Sequence, residues 1–374
     1  MSAKSMMAML AKANAKDPLS SVLSDSNLLD KSIVADTGVP LINAAWSGKP
    51  DGGIVPGIKM MVGDSRTFKT NFGLLDIKAF LDCVPDSICL FYDSEGGANA
   101  RYWEAFNIDT SRVQHRGIKT VEDMTVKIKQ DLDLFSAPEF NGKIIIFIDS
   151  VSQLPSNKEV KDALEGNEKA DMTRARALNS FWRIVTPEIN FNNHVCVWIN
   201  SFYDEIGNEY AEKNIKGGKQ GFLSSDTIWF IGRRQVKDDK AKNNDVEFKV
   251  VGYEMVINIM KGRFAKEKAK FPVTVTFDGG IYRWSGLLDV CKHLGFIEGS
   301  GWYEFTEKSG VSLGKKVQKK DMGDDFWMML LEQPHVMEAI GEYYSVTTGP
   351  LLKQLELDGD DTKVKLEGVK KKGK

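Results

Sequence analysis

The chain has 374 residues, enough for about two domains at roughly 150 residues each and for a full core without covalent staples. Its 50 Lys+Arg and 52 Asp+Glu balance to a net charge of −2, which excludes a protein that coats nucleic acid by bulk charge and makes any such contact local. The 42% hydrophobic and 27% charged composition is that of a soluble globular protein, and no apolar run approaches the roughly 20 residues of a membrane-spanning helix, so a cytoplasmic location is expected.

Met6, Met7, Met9 and Leu10 stand among alanines in a stretch too short and too lysine-flanked for a signal peptide. A short amphipathic helix is predicted there, and with the Ser/Asp/Leu-rich link after it residues 1–35 read as an arm. From 36 to 277, apolar runs of strand length recur: KMMV, ICLFYD, KIIIFIDS, HVCVWINS, DTIWFIG, EFKVVGYEMVINIM and PVTVTF. Runs of that length without strict alternation predict strands buried on both faces, hence an α/β fold on a mainly parallel sheet, with an antiparallel continuation in the last few. Leu74, Ile77, Phe80 and Leu81, and then Leu178, Phe181, Trp182 and Val185, fall at helical spacing and predict helices that cover this sheet. After Gly279-Gly280 the texture shifts to the shorter helical pieces LLDVCKHLGF and DDFWMMLLEQP, which predict a smaller C-terminal domain over 278–355. The stretch 356–374 carries six lysines against one glutamate after Thr362 and reads as a disordered basic tail. The four cysteines and four histidines show no zinc spacing, and three cysteines lie in apolar runs as core thiols of a reducing compartment.

The sharpest local signal is Gly63-Asp64-Ser65-Arg66-Thr67-Phe68-Lys69-Thr70, which follows a strand-like run and opens a helix. Backbone N–H groups at a helix N-terminus point at anions, a lysine reaches terminal phosphates, and the following hydroxyl holds Mg²⁺. Phe68 stands where glycine is expected in G-x-x-x-x-G-K-[ST], so a polar turn without a ligand stays open on the pattern alone. Asp149 and Ser150 end a buried strand-like run, where a carboxylate suits the Mg²⁺ shell beside Thr70. Asp93-Ser94-Glu95-Gly96-Gly97 ends another run. Glu95 is a candidate base for a water near a terminal phosphate, with a solvated turn acid as the plain alternative.

In order along residues 36–305, the motifs GDSRTFKT, LFYDSEGG, IIIFIDS, WINS, GGKQGFLSSDTIWFIGRR and MKGR resemble those of the RecA-type homologous recombinases, most closely the UvsX recombinases of large tailed phages, which also carry phenylalanine at the second loop glycine. The resemblance implies a RecA-like P-loop ATPase core, an oligomerisation arm at 1–35 and ATP with Mg²⁺ as cofactors. It matches Gly63, Lys69 and Thr70 to the phosphate loop, Glu95 to the water-activating glutamate, Tyr102 to the aromatic that stacks on adenine, and Asp149 and Ser150 to the second nucleotide motif. Asn200 matches the γ-phosphate sensor, with Ser201 where an amide or imidazole is usual. Lys261 and Arg263 match a basic pair that the next subunit of a filament sets against the triphosphate; read as residues alone, they are equally a solvated strand end.

Two stretches have the length of DNA-contacting loops. The first, 154–173, leads into a helix with Arg174, Arg176 and Arg183; from Leu154 to Arg176 its five basic and five acidic side chains make no basic patch, and the resemblance makes it the first DNA loop with Arg176 and Arg183 on phosphates. The second, 202–222, has acids in its first half, then Lys213, Lys216, Gly217, Gly218 and Lys219. Its glycines allow close approach to phosphates, its lysines neutralise them, and Phe202 or Tyr203 offers a ring to the bases. The expected function is an ATP-dependent recombinase that forms a homo-oligomeric helical filament on single-stranded DNA and exchanges strands with a homologous duplex, its further partners a loading mediator and a single-strand-binding protein. A ring helicase on the same core, or a nucleotide-responsive single-strand scaffold with little hydrolysis, are the alternatives.

Overall fold

The computed structural model describes residues 2–346 apart from 27, 29–30, 33, 137–139, 141, 167–171, 204–213, 238–249, 278–279 and 313. The expected basic tail at 356–374 and the acidic half of the second loop lie outside the described residues. In chain order the elements are α1 (Ala3–Ala13), α2 (Pro40–Ser47), β1 (Gly57–Gly63), α3 (Lys69–Cys83), β2 (Ile88–Asp93), α4 (Ala100–Ala105), β3 (Val113–Gly117), α5 (Val121–Phe135), β4 (Ile144–Asp149), α6 (Asn157–Leu164), α7 (Thr173–Phe191), β5 (Val195–Asn200), β6 (Phe202–Tyr203), β7 (Asn214–Ile215), α8 (Lys219–Ser224), β8 (Thr227–Lys237), β9 (Val250–Gly262), β10 (Lys270–Thr276) and β11 (Gly280–Ile281). Then follow α9 (Leu287–His293), β12 (Ile297–Ser300), β13 (Trp302–Phe305), β14 (Val317–Gln318), α10 (Asp324–Leu331) and α11 (Pro334–Tyr344).

The main sheet has nine strands in the order β11-β10-β9-β8-β1-β5-β4-β2-β3. Every pairing from β8 to β3 is parallel, and β9, β10 and β11 continue it antiparallel. The parallel centre follows from β1, β4 and β5 being buried at every position, which only a sheet covered on both faces permits. Alternation along β1 sends Ile58, Met60 and Val62 to one face, where Leu178, Phe181, Trp182 and Val185 of α7 and Met124, Ile128 and Leu132 of α5 cover them. Met61 turns to the other face, under Phe72, Leu74, Ile77 and Phe80 of α3 and Trp46 of α2.

β3 was not legible in the sequence. Its residues VQHRG are mostly polar and exposed or half-buried, because an edge strand needs only one apolar flank. The C-terminal part adds a three-stranded sheet, β12-β13-β14, also unforeseen. Its hairpin is built on glycine backbones, Gly299 at φ 109° and Gly301 at φ 77°, which read in sequence only as breaks. Trp284, Leu287, Cys291, Phe326, Trp327 and Ile340 of this part join the hydrophobic cluster that also holds Trp46 and Phe271. Cys89, Cys196 and Cys291 are buried thiols as expected, whereas Cys83 is exposed at the end of α3. Among the described residues no helix is long and apolar enough to cross a membrane.

Candidate nucleotide site and nucleic-acid loops

β1 delivers the chain into a tight turn from which α3 departs, so the first N–H groups of α3, which have no partner inside the helix, face the mouth of the sheet. Gly63 is required there: a Cβ would meet the Ile231 carbonyl oxygen and Thr67 Oγ1, each at 2.7 Å. Phe68 adopts φ 66° and ψ 15°, a left-handed backbone at the N-cap of α3. This is the conformation the expected glycine would supply without strain; here the ring packs edge-on against Phe72 with centroids 6.1 Å apart, which compensates.

Lys69 Nζ donates to Gly63 O at 2.9 Å, Asp64 O at 2.6 Å and Thr67 Oγ1 at 3.3 Å, so the ammonium lies inside the curl of the loop. Burial pushes this ammonium below the usual lysine range, against the pull of Asp149, Asp64 and Glu95. Thr70 Oγ1 donates to Asp149 Oδ2 at 2.7 Å, bringing together the hydroxyl and carboxylate expected at the metal. Burial raises the Asp149 carboxyl from 3.8 to about 6; the Thr70 hydrogen bond opposes it, Glu95 and Asp93 add to it, and Lys69 opposes it.

The parallel register sets Asp93 directly beside Asp149. Asp93 is 7% exposed, and its Oδ1 accepts from Glu95 N at 2.9 Å and Gly96 N at 2.7 Å. It therefore shapes the turn that carries Glu95, while its Oδ2 lies 3.2 Å from His115 Nε2 on β3. Glu95 reaches back over the strand ends: Ser150 Oγ donates to Glu95 Oε1 at 2.6 Å and lies 2.6 Å from Ser152 Oγ. Ser94 Oγ donates to Ser150 O at 2.7 Å, tying the two strand ends together. Asn200, at the end of β5, donates from Nδ2 to Lys216 O at 2.8 Å, and Lys216 N donates to Ser201 O at 3.0 Å. The Ser201 hydroxyl itself is buried without a hydrogen-bond partner among the described residues.

These groups line one cleft of about 1010 Å³ that takes in Gly63 to Thr70, Glu95, Tyr102, Asp149, Ser150 and Asn200. The volume admits a nucleoside triphosphate. Tyr102, on α4, is 42% exposed. The cleft wall also contains Lys216, which the sequence reading assigned to the second loop, and Arg233, Tyr253, Thr276 and Phe277, four residues it missed; Arg233 stacks on the Tyr253 ring at 4.9 Å and donates to Arg66 O at 3.4 Å. Their signal was the run of residues at the ends of the antiparallel strands, which become neighbours of the loop only through the strand order. Among the described residues no three His, Cys, Asp or Glu side chains form a metal cage. A divalent ion beside Thr70 and Asp149 would thus take most of its ligands from phosphate and water, which is the habit of Mg²⁺.

Lys261 and Arg263 are not in this cleft. Gly262 pairs with Thr227, which pairs with Lys59, four residues before Gly63; at about 3.3 Å per residue the pair lies on the order of 13 Å away along β1, toward the opposite, amino-terminal end of the parallel strands. Lys261 Nζ donates to Phe222 O and Leu223 O, both at 3.0 Å, and Arg263 pairs with Asp226 at 2.7 Å.

The loops depart from expectation in detail. In the first, residues 157–164 form α6, closed by a capping box of Ser156 and Glu159, so it is less extended than its polarity suggested. Arg174 is used internally, donating to Leu154 O at 2.6 Å and Val151 O at 2.8 Å; Arg176 and Arg183 are exposed on α7. In the second, β6 and β7 pair as a short ribbon and α8 begins at Lys219. Phe202 is largely buried rather than presented at the loop surface: it is 8% exposed, packs on Phe230 at 5.1 Å and forms part of the cleft wall. Gly217 is half-buried and Gly218 exposed, and both pass close to α7: a Cβ on Gly217 would stand 2.7 Å from Leu178 Cδ1 and one on Gly218 3.0 Å from Asn179 Oδ1. They are small because the loop returns tightly against α7.

A strand-to-helix phosphate loop with an aspartate at the end of β4, in a sheet of this order, defines a RecA-like P-loop core. The comparisons narrow it: residues 284–340 match the family model described as the C-terminal domain of the bacteriophage T4 recombination and repair protein. The chain is 37% identical over 337 residues to the recombination and repair protein of Enterobacteria phage T4, covering 88% of this chain and 83% of that one. It is 24% identical over 252 residues to the RecA protein of Clostridioides difficile, covering 66% and 68%, and 22% identical over 243 residues to that of Bacillus subtilis, covering 64% and 65%. The chain belongs to the family of phage UvsX recombination and repair proteins, within the wider RecA group.

Proposed function

We propose that the protein is an ATP-dependent strand-exchange recombinase that polymerises on single-stranded DNA with the nucleotide held between neighbouring chains. The observation that carries this reading is the placement of Lys261 and Arg263 at the end of the strands opposite the phosphate loop: the cations that resemblance assigns to the triphosphate serve it only when supplied by another chain. Lys69, drawn into the loop by its carbonyls, exchanges those contacts for phosphate oxygens. Glu95, oriented by Ser150, takes a proton from the attacking water. Thr70 and Asp149 would hold a Mg²⁺ carried with the nucleotide, which would supply neutralisation of the charge on the phosphates. Because Asn200 holds the backbone of Lys216, a change at the strand ends of the cleft reaches the second loop directly. Arg176, Arg183, Lys216 and Lys219 supply phosphate contacts, and base pairing with a homologous duplex supplies sequence matching. The exposed Met6, Met7, Met9 and Leu10 of α1 dock on the adjacent chain.

The test is electron microscopy with single-stranded DNA and a non-hydrolysable ATP analogue, beside ATPase rates with and without DNA. Open helical filaments and DNA-stimulated hydrolysis that is lost in K69A support the reading. Closed rings, or a chain that stays monomeric, refute it.

A further inference from the structure

The two basic residues at the assembly edge are held in different ways, and the difference singles out Asp226, the residue just before β8. Asp226 is 6% exposed, and its carboxylate oxygens are divided between two tasks. Oδ2 accepts from Ile58 N at 3.0 Å, while Asp226 N donates to Ile58 O at 2.7 Å, so the carboxylate is fixed to the start of β1. Gly57 makes room for it, since a Cβ there would stand 2.1 Å from Oδ2. Oδ1 accepts from Arg263 Nη2 at 2.7 Å, and Arg263 N donates to Asp226 O at 3.2 Å.

The Arg263 side chain nevertheless remains 58% exposed. One corner of its guanidinium is moored to a rigid, buried acceptor, and the planar fork leaves donors for an anion arriving from outside. Lys261, by contrast, spends its ammonium on the carbonyls that end α8 and on the Phe222 ring at 5.4 Å. An arginine already held in one orientation loses less rotamer freedom when it meets its anion.

We propose that Asp226 is the positioning residue for Arg263, presenting the guanidinium at the chain's edge in the orientation in which a neighbouring chain's triphosphate completes its hydrogen bonds. The inference rests on the reading that Arg263 acts across the subunit junction. Asp226 has a second duty that the test must separate. The fully buried Lys59 ammonium, 4.6 Å from the Trp46 ring centre, has no hydrogen-bond partner among the described residues, and Asp226 is the foremost charge that opposes its desolvation. Substitution of Asp226 therefore lowers stability as well, and stability alone cannot report on positioning.

The experiment measures single-strand-dependent ATPase of D226N, D226E, R263Q, D226N/R263Q and E95Q, alone and in mixtures, with folding followed by circular dichroism. D226N is expected to lower kcat by about 10- to 100-fold with little change in KM for ATP, and D226E, which keeps the charge, to recover part of it. The double variant falls no further than R263Q alone, as for two groups acting as one. Mixed with E95Q, whose Asp226–Arg263 pair is intact, D226N regains activity, because an E95Q neighbour completes the D226N chain's site; a folding defect gains nothing from mixing. D226N with wild-type or higher kcat, a loss additive with that of R263Q, or failure of E95Q to complement it overturns the proposal. If D226N does not fold, D226E carries the test: a displaced carboxylate lowers kcat and is complemented by E95Q, and an unchanged kcat overturns the idea. An R263Q protein with an undiminished DNA-dependent rate identifies instead the failure of the cross-subunit reading.

Discussion

Replacing Asp149 by asparagine separates what the cleft needs for chemistry from what the fold would prefer. Asp149 is 8% exposed, and burial raises its carboxyl from 3.8 to about 6. A carboxyl whose folded value is raised binds its proton more tightly in the native state than in the unfolded chain. The ionised form therefore costs stability: on the order of 3 kcal/mol at pH values above about 6, fading as pH falls from about 6 to 4, where both states become protonated. Asparagine removes that charge and keeps an acceptor for Thr70 Oγ1. Without nucleotide and in EDTA, D149N is expected to exceed the wild type by about 2–3 kcal/mol at pH 8 and to show no advantage at pH 4. With Mg·ATP the order reverses in the protection gained, since the wild-type carboxylate finds its countercharge and the variant has none to offer. Urea unfolding at the two pH values, with and without nucleotide, measures both terms. A D149N protein no more stable than the wild type at pH 8, or an advantage that persists unchanged at pH 4, refutes the reasoning.

Phe68 offers a test of backbone strain at the departure from the usual loop pattern. At φ 66° an alanine pays about 1–2 kcal/mol that glycine avoids, and glycine's larger unfolded-state entropy returns about 0.4–1 of this; F68G should thus be more stable than F68A by roughly 0.5–1 kcal/mol in urea unfolding, and the reverse order would show that Phe68 is unstrained. F202A is expected to cost on the order of 3 kcal/mol in stability while leaving the salt dependence of single-strand binding intact, because the ring is packed in the core; an unchanged stability with weaker DNA binding would restore it to the ligand. R176A and R183A should each reduce the slope of log affinity against log salt by about 0.7, measured by fluorescence anisotropy on an oligonucleotide, and an unchanged slope removes α7 from the interface.

The continuous apolar runs settled the parallel core, because a strand covered on both faces cannot alternate, and the helix-period residues of α3 and α7 did become its two coverings. Likewise the loop from Gly63 to Thr70, with Asp149 and Glu95, was readable because phosphate chemistry demands particular residue types at the ends of strands, and strand ends can be counted along a chain. The polar edge strand β3 and the glycine-built hairpin of β12 and β13 carried no such mark. Whether an aromatic or a glycine faces ligand or core is a matter of packing against elements far away in sequence: Phe202 turned to Phe230 and Gly217 to Leu178. Tertiary structure alone decided that Arg233, Tyr253 and Phe277 join the phosphate loop, and that Arg263 meets Asp226 at the far end of the strands, since both follow from the strand order, which brings β1 between β5 and β8 and which local periodicity does not encode.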